Sequence, residues 1–85
     1  MGGRGASSES TIDNKIINSV VSKYKESIAL GNTVQKLSGY SYWEDNVRTD
    51  INRKAFDLYK NKDFTENDEQ RLYNKILRKL KKYES

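Results

Sequence analysis

The sequence predicts an all-α protein: a compact bundle of three helices behind a flexible Gly/Ser-rich N-terminal tail. Three observations lead there. Apolar residues recur once per helical turn in three separate stretches. Pro is absent, so each stretch can run until a Gly or a polar cluster ends it. Each stretch also opens on a Ser or Thr followed three residues later by an acidic residue, the arrangement that satisfies the unpaired N–H groups of a first turn.

Residues 1–10, MGGRGASSES, offer only Met1 and Ala6 as apolar side chains. Such a segment buries too little surface to offset its ordering entropy, so it reads as the tail, and residues 11–85 read as a single helical domain. The first helix is expected to begin near Ser10, with Asp13 as its cap partner. Its stripe is Ile12, Ile16, Ile17, Val20, Val21, Tyr24 and Ile28, and Gly31-Asn32 supplies the stop, since both tolerate a left-handed backbone. Thr33 to Leu37 fits either a short helical turn or an extended piece. The second helix is expected to start at a Ser41–Glu44 capping box with Tyr40 just before it. It buries Trp43, Val47, Ile51, Ala55 and Leu58-Tyr59, with Phe56 widening the stripe, and yields near Asn61-Lys62-Asp63.

The third helix opens at Thr65 with Asp68 three residues on, and turns Leu72, Tyr73, Ile76, Leu77, Leu80 and Tyr83 inward. Its charges are segregated. Glu66, Asp68 and Glu69 fill the first turn, while Arg78, Lys79, Lys81 and Lys82 fill the end, so both groups complement the helix dipole at about 0.3–1 kcal/mol per charge.

Several function classes fall away on composition. The chain has no Cys and no His, which removes thiolate chemistry and the usual general base and metal ligand. No nucleophile–base arrangement is visible, so no catalytic residue and no enzymatic role is expected. The acidic run from Asp63 to Glu69 fails as a calcium loop, because Asp68 stands where Gly is needed and Asn74 where the bidentate Glu is needed. The glycines of MGGRGA precede no strand, so no phosphate loop is present. No metal, cofactor or small-molecule substrate is expected. No apolar run approaches the ~20 residues of a membrane span, and no signal-peptide core follows Met1, which leaves the cytoplasm as the expected compartment.

What remains is contact chemistry. The chain carries 16 Lys and Arg against 12 Asp and Glu, a net charge of +4. Between Arg71 and Tyr83 there is no acidic residue, and Arg71, Lys75, Arg78 and Lys82 follow at steps of four, three and four, so they share one helix face, with Lys79 beside them. Aligned cations of this kind can track phosphates. The same pattern also suits a solvated helix end favoured by its dipole. Tyr42, one residue off the Trp43 stripe, and Tyr73, at the edge of its own stripe, are the aromatic candidates for an exposed contact.

The opening MGGRGASS resembles the start of small proteins encoded by phages and mobile elements of Gram-positive bacteria, and the Lys-, Asn-, Ile- and Tyr-rich remainder suits an AT-rich genome of that kind. The resemblance implies a protein that acts by stoichiometric contact in a bacterial cytoplasm. The first expectation is docking on a host protein or nucleoprotein complex that handles nucleic acid, for example inhibition of a CRISPR nuclease. The second is direct binding of DNA or RNA by the basic C-terminal helix, and the third is a virion or morphogenesis component. The candidate contact residues are Arg71, Lys75, Arg78, Lys79, Lys82, Tyr42 and Tyr73.

Overall fold

The computed structural model describes residues 3–59 and 64–84, with side chains from residue 11 onward. All three periodic stretches are helical, as α1 (Gly3–Ala29), α3 (Ser41–Tyr59) and α4 (Glu66–Lys81). A short α2 (Val34–Ser38) joins the first two and resolves the ambiguity of residues 33–37 in favour of a helical turn. Among the described residues there is no strand, and no helix is long and apolar enough to cross a membrane.

α1 starts upstream of the expected position and takes in residues 3–10, which composition alone assigned to the tail. A helix nucleated by its packed part gains one hydrogen bond for each further residue it orders, and no Pro stands in the way. Ser10 therefore lies inside α1 and does not open it. Asp13, released from capping, turns into the interior and is only 3% exposed. At the other end Gly31 adopts φ +118°, a conformation that side-chain-bearing residues rarely adopt, and Asn32 Nδ2 donates to the Ser27 carbonyl at 3.2 Å. The expected Gly31-Asn32 stop is thus present.

The start of α3 differs by one residue from expectation. The Tyr40 carbonyl accepts the backbone N–H groups of Trp43 and Glu44, so the first turn closes on Tyr40, and Glu44 reaches Arg48 Nε at 2.8 Å instead of forming a box with Ser41. The expected end of this helix at Asn61-Lys62-Asp63 lies outside the described residues. α4 opens as its sequence predicts: Thr65 Oγ1 accepts the Asp68 N–H at 3.2 Å, and Asp68 Oδ2 accepts the Thr65 N–H at 3.1 Å.

The long helices run up, down and up. Tyr24 meets Asp50 and Trp43 while Asp13 meets Tyr59, so α1 and α3 are antiparallel. Arg71, Lys79 and Tyr83 lie beside Asp13, Asn18 and Lys25 in the same order, so α1 and α4 are parallel neighbours. The core between them holds Ile16, Ile28, Val47, Ile51, Leu72, Ile76 and Leu80 with essentially no exposure. α2 closes one end, where Val34 is buried and its N–H donates to Glu84 Oε2 at 2.8 Å.

Two expected core residues lie outside this interior. Phe56 is 79% exposed, because a step of one residue past Ala55 turns about 100° round the helix and carries it off the buried arc. Tyr83 lies two residues past the end of α4 and stays 43% exposed, with Lys25 Nζ 6.0 Å from its ring centre.

Candidate nucleic-acid interface

The expected contact residues divide into three groups according to what packs against them. Lys75, Arg78, Lys79 and Lys82 come together on the outer side of α4, all exposed. With Asn14 and Ile17 of α1 they line a shallow depression of about 280 Å3. Lys79 Nζ donates to Asn18 Oδ1 at 3.5 Å, which puts a second α1 amide on the same edge. Asn14 and Asn18 are spaced for one helix face, and sequence reading missed them because isolated Asn residues on a polar face carry no signal until α4 is known to lie alongside. Among the described residues none that lines the depression is acidic, and none of the four cations forms an ion pair.

Arg71 belongs to the same helical stripe but not to this free set. Its Nη1 donates to Asp13 Oδ2 at 2.6 Å and its Nη2 to Asp68 Oδ1 at 3.0 Å. Asp13 also accepts from Tyr59 Oη at 3.0 Å, so one buried carboxylate ties α1 to both α3 and α4. The Asp13 hydrogen bond, with help from Asp68, raises the Arg71 pKa still further above its ordinary value. The Thr65 N–H, with smaller help from Arg71, holds the Asp68 carboxyl below its own. Burial, reinforced by the Asp13 bond, pushes the Tyr59 hydroxyl up to about 12. The expectation of Arg71 as an exposed contact is therefore corrected: its charge is compensated inside the fold.

Tyr73 is likewise corrected. It is 5% exposed, pinned between α4 and α3 with the Arg48 guanidinium 4.4 Å from its ring centre. Arg48 itself reaches Glu44 at 2.8 Å, Glu69 at 2.9 Å and Gln70 at 2.8 Å. Burial lowers the Arg48 pKa, but the bonds to Glu69 and Glu44 outweigh it and leave the group raised. This second inter-helix network was only partly legible, through the four-residue spacing of Glu44 and Arg48.

Tyr42 is 64% exposed, as the sequence indicates, and its ring lies 5.4 Å from that of Tyr40. It sits beside Trp43, which is buried against α1, so Tyr42 occupies the outer face of α3, away from the cations of α4.

The arithmetic of pairing explains the surface. Glu44, Asp50, Asp68, Glu69 and Asp13 are engaged by Lys23, Arg48 and Arg71, which leaves the C-terminal half of α4 positive. Compared with protein-family models, curated proteins and solved structures, the chain matches none.

Proposed function

We propose that this chain is a non-enzymatic binding protein that holds nucleic acid by its phosphate backbone, free or within a nucleoprotein complex. Lys75, Arg78, Lys79 and Lys82 supply the charge, and Asn14 and Asn18 supply neutral hydrogen-bond donors beside them. One observation carries the reading: four exposed cations are adjacent and, among the described residues, without carboxylate partners, while Arg48 and Arg71 are tied down by acidic residues. Neighbouring ammonium and guanidinium groups repel one another, and an anion lying along them relieves that repulsion. From Lys75 to Lys82 is about 10 Å of helix, over which one strand of a duplex presents about three phosphates.

A second reading draws on MGGRGASS and on the exposed Tyr40–Tyr42 pair. In it the protein docks on a host nucleic-acid-handling protein, in the manner of an anti-CRISPR inhibitor, with the tyrosines as anchors. Affinity purification with and without nuclease, alongside polarisation titrations with labelled duplex DNA, separates the two. Direct binding predicts a titration lost when Lys75, Arg78, Lys79 and Lys82 are all changed to Ala. Absence of any titration, with a defined host protein retained after nuclease, supports docking and removes the phosphate-binding reading.

A further inference from the structure

The outer face of α4 has a second character besides charge. Asn67, Arg71, Asn74 and Arg78 follow at steps of four, three and four, amides alternating with guanidiniums, and Lys82 ends the stripe four residues on. A depression of about 340 Å3 along it is lined by Asn67, Gln70, Arg71, Asn74, Lys75 and Arg78, with no carboxylate or apolar side chain among the described residues. Asn is a poor helix former, so a row of amides on a solvated helix face weakens the helix relative to Ala, Glu or Lys. Hydrogen-bonding capacity is what those positions gain. Gln70 Nε2 donates to Asn74 Oδ1 at 3.1 Å while Arg48 Nη2 donates to Gln70 Oε1 at 2.8 Å, so the Asn74 amide is oriented from α3 before any ligand arrives. Its Oδ1 keeps a second lone pair and its NH2 both donors.

We infer that α4 enters the major groove of duplex DNA, with Asn67, Asn74 and Arg78 on base edges. Lys75 and Lys79, with Asn14 and Asn18, lie against the phosphates of one groove wall. This inference rests on the phosphate-binding reading above and specifies its substrate. Amide side chains pair in bidentate fashion with adenine and guanidinium with guanine, and the groove, about 12 Å wide, admits a helix. Among the described residues this face carries no exposed ring: Tyr73 is buried beneath Arg48, Tyr40 and Tyr42 belong to the start of α3, and Tyr83 lies against Lys25 of α1. Stacking on unpaired bases, the usual means of holding a single strand, is therefore not what this surface provides. A-form RNA has a deep, narrow major groove that side chains cannot read.

The test is selection from a pool of randomised DNA duplexes, followed by titration of the enriched duplex, the same sequence as double-stranded RNA, and one single strand. An enriched motif is expected, with weaker binding of both controls at equal salt. Asn74→Ala, which improves helix propensity and so keeps the fold, should reduce preference at one base pair by about fivefold to 150-fold with the salt dependence unchanged. Lys79→Ala should keep the motif and lower the salt slope by about one. Duplex binding with no enriched motif, or equal binding of DNA and RNA duplexes, overturns groove reading while leaving phosphate binding intact. Failure to bind any of the three polymers removes both.

Discussion

Replacing Asp13 by Ala is the most informative perturbation of the fold, because this one buried carboxylate joins all three long helices. The change strips an acceptor from Arg71 Nη1 at 2.6 Å and from Tyr59 Oη at 3.0 Å. Breaking a fully buried ion pair by removing one partner costs about 3–5 kcal/mol. The Arg71 side chain is 38% exposed and retains Asp68, so water and that second carboxylate recover part of the loss. An expected destabilisation of about 1.5–3 kcal/mol remains. For a domain of this length that lowers the melting temperature by about 6–24 °C. Asp13→Asn should cost less, since it still offers Tyr59 an oxygen. Urea denaturation followed by circular dichroism at 222 nm measures both, and a double-mutant cycle with Arg71→Ala should give a coupling above about 1 kcal/mol. If Asp13→Ala unfolds within about 0.5 kcal/mol of the parent, the bridge does not hold the helices together.

Other outcomes follow from local chemistry. Thr65→Ala removes the side chain that caps α4 and should cost about 0.5–2 kcal/mol, read by the same denaturation. Asp68 is held below the ordinary carboxylate value of 3.8 by the Thr65 N–H and Arg71. Asp50 and Glu69 also end below theirs, because bonds from Tyr24 and Lys23, and from Asn52 and Arg48, outweigh the upward push of burial. The stability these groups add is complete above their unfolded values and is lost as pH falls through the lower folded values, so the melting temperature should be level near neutrality and drop below about pH 4. At the alkaline end the sign reverses. Tyr59, pushed from 10.0 to about 12, and Tyr24 and Tyr73, raised by burial together with Asp50 and Glu44, stabilise the fold below about pH 10. That stability is lost as pH climbs toward 12, and absorbance at 295 nm should show tyrosines ionising later in folded than in unfolded protein.

The helices were legible wherever local rules sufficed. The stripes of α1, α3 and α4 and the Thr65–Asp68 box need only neighbours in sequence. What was not legible depends on partners from other helices. Asp13 looked like a cap residue until α4 brought Arg71 against it. Tyr73 looked like an edge residue until Arg48 of α3 covered it. Phe56 was placed inside on spacing alone, and the narrow buried arc of α3 excludes it. For the candidate site, the cations of α4 were visible as a periodic row, whereas sorting them into free and compensated charges required the positions of Asp13 and Asp68.

In the proposed function Lys75, Arg78, Lys79 and Lys82, which form no ion pair among the described residues, make a positive row that draws in the nucleic-acid backbone. The dependence of duplex affinity on salt tests it most directly. Each phosphate neutralised on B-form DNA contributes about −0.9 to the slope of log K against log salt, so the roughly three phosphates that the row spans predict a slope of about −3. Changing all four residues to Ala should bring it close to zero with the helical circular dichroism intact. No binding at about 50 mM salt, or a slope that the fourfold change leaves untouched, would contradict the claim.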